Sequence, residues 1–381
     1  MERIGKHEVV LAIQDTTELN YTSHKALSGI GYLDSKYAQG LKVHSVFTAS
    51  TQGVPLGIIE QLLWARKGEE LGKAEQRKQK STADKESVRW LSALKATELI
   101  IPESVRVVTI ADREADIYDL FACSRRSGSD FLIRGTQNRC LDGCEPRLWE
   151  TLSSQHSLGT MTVEVKRSVT QPHRRATLDI RHTTIAIAPP QNRAKAELLA
   201  PVTLQAILVT EADPPPECEP ITWLLLTTLE ITSLEDVQQY VRWYSYRWLI
   251  ERYHYVLKSG CGIEKLQLET AQRLEMALAT YSIVAWRLLW LTYLARCQPD
   301  ASCEQVLATH EWQALYATIH HQPYPHSTPP TLAQGVNWIA RLGGFLGRKG
   351  DGSPGVKVLW RGLSRLHDIV VGWLAFQSLN S

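Results

Sequence analysis

Two short apolar runs, each closed by an aspartate, constrain this chain more than any other feature. The run VVLAI within His7–Gln14 leads into Asp15, and VRVVTIA over Val105–Ala111 leads into Asp112. Continuous β-branched stretches without polar alternation are the pattern of strands buried on both faces, as in a sheet covered by helices on both sides. Such sheets collect functional side chains at the C-terminal ends of their strands. Either aspartate alone reads equally well as a turn starter or a helix cap. The segment TTELNYTSH after Asp15 reads as a loop.

The remaining text places other elements around these two strands. Gly40–Ala49 and Val54–Leu63 predict an antiparallel hairpin about Ser50–Gly53, and Asp130–Gly135 a fifth strand. Glu86–Leu99 and Glu114–Ser124 carry helical spacing, while Arg66–Glu86 is dense in mixed charge and predicts a solvated loop. From Gln137 to about Glu230, short alternating stretches broken by Pro and Gly predict a β-rich block. Ser233–Lys258 is strongly helical, and the chain from about Thr270 is mostly helical. No internal repeat is visible.

Composition narrows the class without naming a function. Hydrophobic residues are 44% and charged residues 22%, as in an ordinary globular protein. A net charge of +2 does not by itself mark a nucleic-acid binder, which is betrayed by a local patch rather than a balance. The seven cysteines, among them Cys140 and Cys144, show no metal-ligand spacing, so reduced thiols in a cytoplasmic setting are expected. MERIGKHEVVLAIQD has too short an apolar run for a signal peptide. Met276–Ala295 is long and apolar, but Arg287 near its middle, with Glu275 and Arg296 flanking, predicts a core helix and no membrane span.

The helix over Ser233–Lys258 supplies a third carboxylate. Tyr246, Leu249, Ile250, Tyr253 and Leu257 form an apolar stripe. At 100° per residue, Tyr244, Arg247, Glu251 and Lys258 fall within about 60° of one another on a different face, roughly opposite the stripe. Tyr240, Trp248 and Tyr255 share that face. A merely solvated face rarely carries so many aromatics, whereas aromatics among Arg and Lys suit stacked bases and phosphates.

Tyr244, Arg247, Glu251 and Lys258 match the Y-x2-R-x3-E-x6-K signature of bacterial insertion-sequence transposases with a DDE active site, which this chain resembles. Asp15 in IQDTT and Asp112 in ADREAD resemble that family's two aspartate motifs. TWLLLT around Trp223 and IARLGGFLGRKGDG from Ile339 also look like family text. The likeness is greatest to the hairpin-forming, cut-and-paste members.

The resemblance implies an α/β fold of the ribonuclease-H-like kind, a mixed sheet with flanking helices. Residues 1–136 would be the first part of the catalytic core, 137–230 a β-rich insertion, 231–270 the core segment carrying Glu251, and 271–381 a helical region for dimerisation and DNA contact. Asp15, Asp112 and Glu251 would be catalytic and bind two Mg²⁺ ions, with Mn²⁺ able to substitute. Hard cations prefer such oxygen ligands, and a metal pair can activate the attacking oxygen and neutralise the leaving one. Without metal the three carboxylates repel, so one pKa should be raised. Tyr244, Arg247 and Lys258 would contact DNA. By the same resemblance Trp223 corresponds to a tryptophan that stacks on a flipped base and Arg134 to a phosphate-holding arginine, and Trp248 is placed to line that pocket. Arg341, Arg348, Lys349, Lys357, Arg361 and Arg365 add a basic bias to the tail.

The implied partners are double-stranded DNA at transposon ends and at the target, with a homodimer in the DNA complex. The expected location is the bacterial cytoplasm, at the nucleoid. Family members usually carry an N-terminal end-recognition domain, whereas Asp15 here follows only fourteen residues. The sequence is therefore also consistent with a shortened, dimerising inhibitor of a full-length transposase, or with a stand-alone metal-dependent nuclease.

Overall fold

The computed structural model describes all residues except 1, 67–85, 144, 166–173, 192–198, 217, 324–327, 349 and 380–381. Most of the charged stretch after Arg66, together with Lys349 and Cys144, lies outside the described residues. The strands are β1 (Val9–Asn20), β2 (Gly31–Tyr32), β3 (Gln39–Ser50), β4 (Pro55–Trp64), β5 (Arg106–Ala111), β6 (Ser129–Gly135), β7 (Gly159–Val165), β8 (Arg174–Ile187), β9 (Val202–Glu211) and β10 (Thr222–Thr227). They form one sheet in the order β2-β3-β1-β5-β6-β10-β9-β8-β7, with β4 paired to β3. β1, β5 and β6 run parallel, and the other pairings are antiparallel. This mixed sheet with helices on both faces is the ribonuclease-H-like α/β arrangement.

The two aspartate-tipped runs became the central parallel strands because their residues are apolar in both directions. Leu11, Ile13, Val108 and Ile110 face one core, while Val10, Ala12 and Val107 face another. The first core is roofed by helices Leu234–Ser245, Trp248–Tyr255 and Ala271–Cys297, the opposite face by Val88–Ile100 and Tyr118–Ala122.

Several local expectations are corrected. β1 does not end at Asp15 but runs on to Asn20, because β3 pairs with it residue by residue from Ser50 to Gly40. Backbone pairing along a long neighbour overrode the polar, turn-like composition of TTELN. The helix expected over Glu86–Leu99 runs from Val88 to Ile100 and buries Trp90, Ala93, Leu94 and Thr97. The strands of the β-rich block continue the main sheet, since β10 hydrogen-bonds both β6 and β9.

The long helix Ala271–Cys297 passes the length and composition test for a membrane span. In the fold, however, Leu274, Leu278, Ala285, Leu288, Leu289, Leu291 and Leu294 are buried in the core. Helices Leu332–Leu342 and Val356–Leu379 cross at two glycines. A Cβ on Gly343 would lie 1.9 Å from the Val358 carbonyl, and one on Gly362 1.9 Å from that of Ile339, so the crossing admits no side chain at either point.

Candidate active site

Strand register builds the site. β1 and β5 pair in parallel from Val9↔Arg106 to Ile13↔Ile110, and continuing that register by two residues sets Asp15 beside Asp112. β5 and β6 pair up to Ala111↔Ile133, so the next row sets Asp112 beside Arg134. Arg134 in turn lies opposite Leu225 of β10. Side chains alternate along strands, and Ile13, Ile110, Leu132 and Leu225 all belong to the core under the Trp248–Tyr255 helix. Asp15, Asp112 and Arg134, two residues further on, therefore share that face. Leu249, Ile250 and Tyr253 anchor the helix carrying Glu251 onto the same core.

The helical segment is not the single rod expected from spacing. It is Leu234–Ser245, capped by Ser233 and Asp236 in a reciprocal capping box, then Trp248–Tyr255, then a wide turn over Val256–Gly260. The Tyr246 and Arg247 amides donate to carbonyls three residues back, Trp243 and Tyr244, and the Cys261 amide donates to Val256, five back, at 2.7 Å. A uniform 100° step therefore fails twice between Tyr244 and Lys258. No Gly or Pro marks the first break. It lies where Tyr246 meets the β3–β4 turn, close enough that a Cβ on Gly53 would be 2.9 Å from the tyrosine ring.

As a result the predicted polar face is partly interior. Tyr244 is only 3% exposed and Tyr240 only 8%, so neither lies opposite the core. Tyr244 packs edge-to-face on Trp223, ring centroids 5.3 Å apart. Burial raises its pKa, while the positive charges of Arg247 and Arg134 act against that rise. Trp223 and Trp248 are half-buried and pack against the same core. Arg134 donates to the Thr222 carbonyl at 3.2 Å.

Arg247 donates to Glu251 at 2.6 Å, four residues on, and Glu251 keeps 54% of its side chain exposed. Its place in the first turn of the Trp248–Tyr255 helix also suits a negative charge. Lys258 is half-buried, and among the described residues neither it nor Arg134 has a carboxylate within ion-pair distance. Of the predicted basic tail, Arg341, Arg348, Lys357, Arg361 and Arg365 are exposed.

The electrostatics converge on Asp15. Its carboxyl is raised from 3.8 to about 7, mainly by burial and next by the negative charge of Asp112, with a smaller contribution from Glu251. The raised carboxyl anticipated from charge repulsion is thus present, but desolvation is its larger cause. The Thr16 backbone N–H donates to Asp15 Oδ1 and the Glu114 N–H to Asp112 Oδ1, both at 2.9 Å. His254 Nδ1 lies 3.7 Å from Asp15 Oδ2. That contact is not an ion pair, because burial and the Lys258 charge push His254 down to about 3, leaving it neutral.

Among the described residues, no group of three or more His, Cys, Asp and Glu side chains is set closely enough to hold a metal ion. Glu251 is engaged by Arg247, while Asp15 and Asp112 lie side by side. The donor chemistry nonetheless fits a hard cation: the three carboxylates offer oxygen ligands only, and burial together with the neighbouring negative charges raises Asp15 to about 7.

Residues 10–287 match the family described as Transposase DDE domain, and residues 283–379 match Transposase Tn5 dimerisation domain. The chain belongs to the DDE transposases. Enzymes of this family act on DNA and generally use divalent metal ions. Within that family setting, four residues near the site were missed by sequence reasoning: Thr16, Arg89, His254 and Asp116. Asp116, the last residue of ADREAD, is buried and accepts from Arg139 and from the Thr136 and Gln137 backbone N–H groups, which secures the turn after Arg134. Its position inside the motif was the available signal. Arg89 and His254 had none, since their partners are distant in sequence.

Proposed function

We propose that this transposase cuts DNA at transposon ends by two-metal chemistry, closes a hairpin on the cut flank, and joins the freed end to target DNA as a homodimer. Asp15, Asp112 and Glu251 are the proposed metal ligands. The observation that carries this reading is the row of Asp15 beside Asp112 on the face covered by the Glu251 helix, with the charges of Asp112 and Glu251 both acting on Asp15. Two Mg²⁺ ions, or Mn²⁺ in their place, would lower the pKa of the attacking oxygen and neutralise the leaving one.

The chain's own residues then have separable duties. Asp15 must give up its proton when a cation arrives. Arg247 positions Glu251 and presents its remaining N–H groups to a phosphate oxygen. Arg134 and Lys258, which lack carboxylate partners among the described residues, are the free cations for the DNA backbone. Trp223, braced by Tyr244, is the stacking platform for a displaced base, with Trp248 lining the same pocket. Residues 137–230 serve as an insertion into the 1–136 and 231–270 core, and 271–381 carries the dimer contact, where Val371 and Leu374 are exposed on the last helix.

The direct test is single-turnover cleavage of end-bearing duplex DNA with Mg²⁺, with Mn²⁺ and with chelator, resolving nick, hairpin and strand-transfer products on denaturing gels. Cleavage that proceeds in chelator would overturn the reading. In the same assay Trp223→Ala is expected to reduce hairpin closure about 5- to 150-fold, the equivalent of about 1–3 kcal/mol of base stacking, while first-strand nicking holds. Equal loss of both steps together with a lower melting temperature would assign Trp223 to the core alone. Lys258→Ala is expected to weaken DNA binding and to flatten the plot of log affinity against log salt by about one unit. An unchanged slope would remove Lys258 from the phosphate contacts.

A further inference from the structure

The two candidate aspartates stand beyond the last backbone pair that joins their strands, since β5 ends at Ala111 and its pairing with β1 ends at Ile13↔Ile110. Past that point no ladder holds the strands together, and two neighbouring carboxylates push them apart. The opposite face of the sheet supplies the missing tie. Arg89, in the first turn of helix Val88–Ile100, sends Nε to Thr16 Oγ1 at 3.0 Å and one Nη to Glu114 Oε2 at 2.8 Å. Its other Nη is fastened to the Glu86 carbonyl at 2.9 Å. The guanidinium lies over Trp64 and Trp90, and only 14% of the side chain is exposed.

The two residues that Arg89 grips are the two whose backbone N–H groups hold the aspartates. Thr16 N–H donates to Asp15 Oδ1 and Glu114 N–H donates to Asp112 Oδ1. Thr16 Oγ1 also meets His44 Nδ1 at 2.9 Å, and the His44 ring is packed edge-on against Trp90. A one-residue alternation explains how this works through the sheet: Asp15 points to one face and Thr16 to the other.

We infer that Arg89 is a positioning residue that sets the spacing and orientation of the Asp15 and Asp112 carboxylates from behind, through Thr16 and Glu114. Its planar fork is suited to two partners at fixed separation, which a lysine ammonium would not satisfy together. The inference rests on the proposed metal-ligand role of the two aspartates.

The test is Mn²⁺ titration of the full chain, without DNA, followed by electron paramagnetic resonance. Arg89→Ala, Arg89→Lys and Thr16→Val are each expected to weaken Mn²⁺ binding about 10- to 100-fold, the usual loss when a partner behind a metal ligand is removed. Thr16→Ser, which keeps the hydroxyl, should recover the affinity that Thr16→Val loses. In cleavage, kcat should fall with KM for DNA unchanged. Wild-type Mn²⁺ affinity in Arg89→Ala and Thr16→Val, beside lost affinity in Asp15→Asn, would overturn the inference alone. Wild-type affinity in Asp15→Asn would instead sink the metal-ligand reading, and this inference with it. Should Arg89→Ala fail to fold, the Thr16 pair decides the matter, because Val and Ser both suit a strand.

Discussion

Glu251→Gln is expected to abolish DNA strand cleavage while leaving the fold intact. The substitution keeps the side chain's shape and an acceptor for Arg247, but removes one of three negative charges meant for a cation. Loss of that charge should slow single-turnover cleavage by about a thousandfold or more, roughly 4 kcal/mol of transition-state stabilisation. Stability should move by no more than about 0.5 kcal/mol, because the Glu251 side chain is half-exposed and its packing is unchanged. Cleavage rates beside melting curves decide the point. A Glu251→Gln protein that cuts at the wild-type rate would remove Glu251 from the reaction. One that melts early would assign the Arg247–Glu251 pair to structure.

In the metal-free protein Asp15 should subtract stability as pH rises from about 5 to 8, against the opposite slope of the buried, neutral His44 and His254, whose rings are held well below the ordinary imidazole value. In the unfolded chain this carboxyl ionises near 3.9, whereas in the fold it holds its proton up to about 7. At this carboxyl, between those values, the native state binds more protons than the unfolded state, so its contribution to stability falls with rising pH and the full penalty is present above about pH 7. At about 1.4 kcal/mol per pH unit the penalty reaches at most ~4 kcal/mol. Asp15→Asn should raise the melting temperature relative to wild type by a margin that grows from pH 5 to about pH 7 and is full at pH 8. Because the proton and a cation compete for the same carboxylate, Mn²⁺ affinity should also climb across pH 6–8. An identical pH slope in Asp15→Asn and wild type would show that the carboxyl is solvated and ordinary.

Much of this protein was legible before its fold. Apolar runs rich in β-branched residues are the mark of strands buried on both sides, so VVLAI and VRVVTIA announced the central parallel strands that carry Asp15 and lead to Asp112. The hairpin of Gly40–Leu63 was equally plain from its alternation and turn. Motif spacing carried Glu251, Arg247, Lys258 and Tyr244 as a group, and with them the family to which the chain belongs. These features are local, or repeat along the chain, and a sequence records them directly.

Tertiary structure decided what depends on partners far away in the chain. The continuation of β1 past Asp15 was decided by β3, whose backbone offered pairing that composition does not encode. The break after Ser245, where Tyr246 meets the β3–β4 turn, and the wide turn at Lys258 have no local signature, and they end the uniform helical step that would set Tyr244 on one face with Glu251 and Lys258. Arg89 reaches Thr16 and Glu114 across 73 and 25 residues of chain, and His254 comes within 3.7 Å of Asp15 from the other end of the core. Neither has a local signature. The high pKa of Asp15 likewise belongs to the fold, because it is mainly the withdrawal of water by surrounding elements, and no sequence pattern around Asp15 specifies how much water remains.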